Sequence, residues 1–222
     1  ETMANRTQKF KSNATSSRGP FESDFLYRIT KTHISVPVGM FILYAAGLIW
    51  YTNVVTDLTI LQIIGLFLAG TFFFTFIEYA MHRWLYHPPH GAGEKYKEFT
   101  YTIHGYHHDY PRDKERLAMP PWLAIILATF FLFLFKLVLS QMAFAFTAGF
   151  VVGYAGYLMV HYSVHVFKPP RNFLKSLWIN HSIHHYSENE ILFGVSQPFW
   201  DYVFRTIPKT KADKKLAREI KA

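Results

Sequence analysis

A chain of 222 residues with 50% hydrophobic and 18% aromatic residues, carrying a formal net charge of +8, is the size of one large domain or two small ones. It contains no cysteine, which excludes disulfides, thiolate metal ligands and thiol nucleophiles. The apolar residues collect in long runs instead of spreading evenly, as expected of a chain whose solvent is lipid.

Residues 1–33 are polar, basic and Ser/Thr-rich and hold no apolar core of a cleavable signal peptide, so a flexible N-terminal segment is expected. Residues 34–222 are expected to form a single all-α membrane domain. Within it, four stretches are candidates to cross a bilayer: 34–51, 59–81, 121–139 and 142–160. The second holds 23 residues, which in a helix reaches about 34 Å. Only Ser140-Gln141 separates the third from the fourth, predicting a tight helical hairpin; a hairpin buried in one leaflet is the alternative for that pair. Lys136 is close enough to the end of its stretch to snorkel. Runs such as Phe72-Phe73-Phe74 and Phe130-Phe131-Leu132-Phe133 are hydrophobic all round, which counts against a soluble protein with four buried helices.

Charge assigns an orientation. Of the 23 Lys and Arg residues, 22 fall in 1–33, 82–118 and 161–222, and the connection 52–58 has none. By the positive-inside rule these three regions, with both termini, are cytoplasmic.

Ten of the twelve histidines fall in four short windows: His82 and His87; His104, His107 and His108; His161 and His165; His181, His184 and His185. The first and third windows close the second and fourth stretches, and the others lie in the loop and tail on the same side, so all four meet at one membrane face. Spacings of three and four residues put the members of a window on one helical face. His82 and His87 are about 140° apart on an ideal helix, but Pro88 disfavours helical backbone at His87 and lets the helix end there. Neutral imidazole suits iron, zinc, copper and nickel, and ten such ligands match two ions better than one. His33 and His90 belong to no window and are assigned to interface and loop. Glu78, one turn before His82 in an apolar stretch, is costly unless partnered; a role in orienting a ligand histidine is expected.

At these residues the chain resembles the membrane fatty acid hydroxylase/sterol desaturase superfamily, with its pattern H-x(3–4)-H, H-x(2–3)-H-H, H-x(3)-H, H-x(2)-H-H. It is more nearly similar to the fatty acid 2-hydroxylases. Glu78-Tyr79-x-x-His82-Arg83, the stretch from His104 through Pro111, Asp113, Arg116-Leu117 and Pro120-Pro121, Phe193-Gly194-Val195, and Trp200-Asp201-x-x-Phe204 carry that similarity over about residues 75–206. Val166 departs from it, standing where the 2-hydroxylases usually have a further histidine.

The resemblance implies four transmembrane helices under a cytosolic helical cap built from 82–118 and 161–208. It implies that His82, His87, His104, His107, His108, His161, His165, His181, His184 and His185 surround two metal ions, iron when active and zinc when replaced. The implied reaction is O₂-dependent hydroxylation of a lipid acyl chain at the 2-position, as in sphingolipids. Electrons are expected from a separate b5-type cytochrome or a ferredoxin with its reductase, because no haem or flavin motif occurs in these residues. The implied location is the endoplasmic reticulum of a eukaryote or the inner membrane of a bacterium, and no nucleic-acid partner is expected. Lys114, Lys168, Arg171 and Lys175 are candidates to face anionic headgroups, which a solvated positive face explains equally. Sterol or carotenoid hydroxylation and desaturation on the same scaffold stay open, as does a zinc-binding membrane protein without turnover.

Overall fold

The computed structural model describes residues 11–15, 17, 19, 20, 23–89, 91–187 and 189–221, and among these there is no strand. A short helix α1 (Asp24–Thr30) precedes α2 (Ser35–Val55) and α3 (Ile60–Ala80). Thr59 starts α3 with a capping box: its own N–H donates to Gln62 Oε1 at 2.8 Å, and the Gln62 N–H returns a bond to Thr59 Oγ1 at 3.3 Å. At its far end α3 widens into a π-helical turn, Met81–Tyr86. Next come α4 (Glu94–Thr100), a second π turn (Tyr101–Gly105) and α5 (Tyr106–Asp109).

Pro121, with no N–H to leave unpaired, begins α6 (Pro121–Leu139). A 3₁₀ turn at Ser140–Met142, with Ser140 at φ +51°, reverses the chain into α7 (Ala143–Val166), which packs back on α6. The helices α8 (Lys175–Tyr186), α9 (Phe199–Val203) and α10 (Lys211–Lys221) complete the fold.

Among the described residues, three continuous stretches are long and apolar enough to cross a membrane: Ser35–Val55, Ile60–Tyr86 and the 46-residue Pro121–Val166, which is the α6–α7 hairpin. The helix of α7 runs six residues beyond the expected end at Val160. Apolarity stops at His161, but the backbone hydrogen bonding does not, and the extra turns carry His161 and His165.

Helix α7 is the centre of the bundle, touching α2, α3 and α6. Its Phe144, Ala148, Phe150, Val151 and Ala155 pack with Phe41, Ala45 and Leu48 of α2, Phe74 of α3, and Ala124 and Ala128 of α6. Helices α3 and α7 cross at two glycines. A methyl on Gly70 would collide with the carbonyl of Phe146, and one on Gly149 with that of Phe67. The Thr71 hydroxyl bonds the Gly149 carbonyl at 3.0 Å across the crossing. Small residues and interhelical hydroxyl bonds are how helices approach closely where lipid removes the hydrophobic drive between them. The outer faces stay apolar: Leu61, Leu137 and Val138 are 79–83% exposed.

Several described residues of the N-terminal segment are hydrogen-bonded to the loop after the second histidine window. The N–H groups of Lys11 and Ser12 donate to the Asp109 carbonyl at 2.8 and 3.1 Å, and Ser17 Oγ donates to Asp113. Lys31 pairs with Glu115 at 2.8 Å. The segment therefore straps the loop that follows the second histidine window.

Candidate metal centre

Four pieces of backbone bring the histidines together. The π turn at the end of α3 buries His82, and His87 then leaves it in an extended conformation, φ −104° and ψ 102°, as Pro88 requires. Wide turns of this kind concentrate at functional sites. Here the turn brings the His82 and His87 rings to 5.2 Å between centroids, although five residues on a regular helix would splay them. The second π turn positions His104, and α5 carries His107 and His108. His161 and His165 sit on the last turns of α7, with His181, His184 and His185 on α8.

The histidines form two groups. In the first, one ring nitrogen from each of His82, His87, His104, His108 and His184 lies within 4.8 Å of all the others; in the second the same holds for His107, His161, His165 and His181. The tenth, His185, is outside both sets. Its Nε2 is 3.1 Å from His181 Nε2, and its ring stacks on His108 at 4.2 Å, bridging the groups.

In the first group His104 Nε2 lies 3.0 Å from His82 Nε2 and 2.9 Å from His108 Nε2. In the second, His181 Nε2 lies 2.7 Å from His165 Nε2 and 3.1 Å from His185 Nε2, and His107 and His161 meet at 3.1 Å. Two imidazole nitrogens bound at right angles to one ion at about 2.0–2.1 Å would be about 2.9 Å apart.

Protonation points the same way. His82 Nδ1 contacts the Phe193 carbonyl at 2.5 Å and His184 Nδ1 the Ile191 carbonyl at 2.8 Å. A carbonyl only accepts, so both Nδ1 atoms carry the hydrogen and both Nε2 atoms turn a lone pair inward. His184 Nε2 and His87 Nε2 are buried with no hydrogen-bond partner among the described residues. A neutral His104 Nε2 has at most one hydrogen for its two contacts, and so does His181 Nε2. Burial, reinforced by neighbouring imidazoles, holds the His104, His107, His181, His184 and His185 rings well below their ordinary pKa and hence neutral. Neutral rings with converging, unmatched lone pairs are the donor set of a nitrogen-ligated cation, so these groups can hold metal.

An open cavity of about 340 Å³ reaches the first group past Tyr86, Lys97 and Tyr101, exposing edges of His87, His104 and His108.

Glu78 is buried, but its bonds do not go to an imidazole. Its Oε1 accepts the N–H groups of Val195 and Ser196, both at 2.8 Å, and its Oε2 accepts the Ser196 hydroxyl. Its path to His82 runs through the backbone of that loop, whose Phe193 carbonyl holds the ring. The apolar surroundings predicted a partner for Glu78, and main-chain N–H groups supply it. The Ile191 and Phe193 carbonyls, which set the tautomers of His184 and His82, carry no signal in the sequence, because a backbone carbonyl has no residue type to read. His33 is exposed at the start of α2, its Nδ1 2.8 Å from Ser35 Oγ, away from both groups. His90 lies outside the described residues.

Comparisons with known proteins agree with this geometry. Residues 67–206 match the fatty acid hydroxylase family. A fatty acid 2-hydroxylase of Rattus norvegicus is 35% identical over 156 residues, covering 69% of this chain and 42% of the relative, so this chain spans less than half of that protein's length. The dihydroceramide fatty acyl 2-hydroxylase FAH1 of Arabidopsis thaliana is 33% identical over 201 residues, covering 88% of this chain and 82% of the relative. The solved structure of full-length scs7p, in which only the hydroxylase domain is visible, superposes with a TM-score of 0.78 at 34% identity, over 87% of this chain and 73% of that one. On the matched residues, the shared structure and the two histidine groups, the chain belongs to the fatty acid hydroxylase family.

Proposed function

We propose that this protein is a membrane oxygenase that hydroxylates a lipid acyl chain at its 2-position, using two metal ions held by the ten histidines. The observation that carries the reading is the pair of neutral histidine groups at the ends of α3 and α7, in a chain similar to proteins named as fatty acid and dihydroceramide fatty acyl 2-hydroxylases. The first ion is assigned to His82, His87, His104, His108 and His184, and the second to His107, His161, His165, His181 and His185. Iron bound there supplies the redox chemistry: with two electrons and two protons, one atom of O₂ enters an acyl C–H bond and the other leaves as water.

The protein's own groups do the positioning. The Phe193 and Ile191 carbonyls keep the Nδ1 hydrogens of His82 and His184 outward and their Nε2 lone pairs inward. Tyr157 stacks on His161 at 5.4 Å and continues to Tyr154 and Phe41, an aromatic column that keeps water from the membrane side of the second group. An acyl chain reaches the centre from lipid beside α3, α6 and α7. All four long helices cross the membrane, α6 and α7 as separate spans, with residues 34–222 forming one domain and both termini and the histidines on the cytoplasmic side. Lys168 and Arg171 in the α7–α8 connection and Lys175 at the start of α8, all exposed, border that face. The electrons come from a separate b5-type cytochrome or a ferredoxin with its reductase.

The test is turnover of a long-chain fatty acid or ceramide under ¹⁸O₂ with an added reductase and electron carrier. The expected product is a 2-hydroxyacyl lipid carrying one labelled oxygen. Label at another carbon, or label in no lipid with both metals bound and electrons supplied, overturns the assignment.

A further inference from the structure

Asp201 is fully buried on α9, where an unpartnered carboxylate would be costly. Its partners are a segment of main chain. Oδ1 accepts the Phe193 N–H at 2.8 Å and the Thr206 hydroxyl at 2.7 Å, and Oδ2 accepts the Gly194 N–H at 2.9 Å. Gly194 is tied to this contact, since a methyl there would lie 2.8 Å from Oδ2 and would collide with the Gln197 carbonyl. The clamped segment is also held in an unfavourable shape. Leu192 has φ +58° and Arg205 φ +57°, left-handed values that persist in non-glycine residues only where surroundings enforce them. Leu192 N–H bonds the Thr206 carbonyl at 2.9 Å, and Thr206 N–H bonds the Asp201 carbonyl at 2.8 Å, so the strained pair is locked to α9. The carbonyls flanking Leu192 are those of Ile191 and Phe193, which accept the Nδ1 hydrogens of His184 and His82.

We propose that Asp201 is a positioning residue for the first metal position alone: by holding the segment 191–194 in its strained conformation, it turns the Ile191 and Phe193 carbonyls onto His184 and His82 and so fixes two of that position's ligands. The hydrogen bonds of the Asp201 side chain reach only the segment 191–194 and Thr206. In the second group His107, His161 and His165 come from other elements, while His181 and His185, on α8 beside His184, contact His165 and each other through Nε2. The inference rests on the two-ion reading above and assigns a separate support to one of the two positions. An asparagine in its place would keep one acceptor oxygen and turn an NH₂ toward a backbone N–H, setting donor against donor where the clamp is formed.

The experiment measures retention of Co²⁺ against a chelator by the full-length protein in detergent. In a His165→Ala background, where the strong ion is at the first position, Asp201→Asn should weaken binding about 10–100-fold, the usual effect of losing a group that orients a ligand. In a His184→Ala background, where the strong ion is at the second position, Asp201→Asn should leave affinity unchanged. Should Asp201→Asn not accumulate, Thr206→Val, which removes the side-chain donor to Oδ1 and with it a partner of the Tyr79 hydroxyl, should show the same asymmetry at a smaller size. Equal weakening in both backgrounds means that Asp201 supports the fold in general, and no weakening in either means that it supports nothing at the metals; each result overturns the proposal. If the unaltered protein binds fewer than two ions, the two-ion reading fails instead.

Discussion

His87, His107, His165 and His184 come from four different stretches of chain, and each places a ring nitrogen in one of the two groups. Replacing any one with Ala should abolish product formation and lower metal content, whereas His33→Ala, altering an exposed ring remote from both groups, should leave both intact. Metal analysis beside the labelled-oxygen assay decides it, and an active His107→Ala protein would remove that residue from the centre. Protonation makes a second prediction. Five rings, His104, His107, His181, His184 and His185, are held below the ordinary value of 6.5. The unfolded chain therefore takes up protons on them first as pH falls. Stability of the metal-free protein should be retained above about pH 6.5 and lost on acidification below it, and metal should be released in the same direction. A thermal unfolding series from pH 8 to 5.5 that showed a rising Tm on acidification would contradict this. The histidines could be read from sequence because imidazole is a residue type with a spacing. Their tautomers could not, because those depend on two main-chain carbonyls more than 100 positions from His82 and seven from His184.

The long helices were legible because lipid imposes a length and an apolarity that any window reveals. Their ends were not: hydropathy stops at the first polar residue, while α2 continues to Val55 and α7 to Val166. The π turns at Met81–Tyr86 and Tyr101–Gly105 left no such trace. A wide turn is stabilised by what it positions, here the packing of His82 and His104 against histidines from other elements, and not by local propensity. The α3–α7 crossing also depends on tertiary context, since glycines at Gly149 and Gly156 look alike in sequence. A methyl at Gly149 meets a backbone carbonyl, while one at Gly156 meets nothing within 4 Å. Gly149→Ala should therefore destabilise the protein by about 1–3 kcal/mol, the usual cost of overpacking a close contact. Gly156→Ala should be neutral or stabilising by up to about 1 kcal/mol through helix propensity. Thermal inactivation of both variants in detergent distinguishes them; equal behaviour would mean that the helices are not in close contact at Gly149.

At the scale of the whole molecule, the histidines and the charges give independent readings of one topology. The His82/His87 and His161/His165 windows end α3 and α7, which pack together and must present those ends on the same side for the groups of His82 and His107 to adjoin. Helix α3 therefore runs toward the histidine face and α7 does too, so the chain must return between them. The return is through α6, which starts at Pro121 after the histidine loop and turns at Ser140. The basic residues agree: the connection between α2 and α3 and the Ser140–Met142 turn hold none, while the regions around the histidines and both termini hold 22. On this reading the proposed four crossings would put the turns near Val54 and Ser140 on the far side. Single cysteines at these two positions, added to a chain that has none of its own, should react in sealed vesicles with an impermeant maleimide only from the face opposite the termini. Val54 is 62% exposed, and Ser140 lies in an exposed turn, so neither should be shielded by the protein. Labelling of residue 54 from the same side as the termini would remove the first two crossings. If residue 140 proved unreactive from both sides while residue 54 labelled as expected, α6 and α7 would be a hairpin buried in one leaflet, and the metal centre would be held by two crossings instead of four.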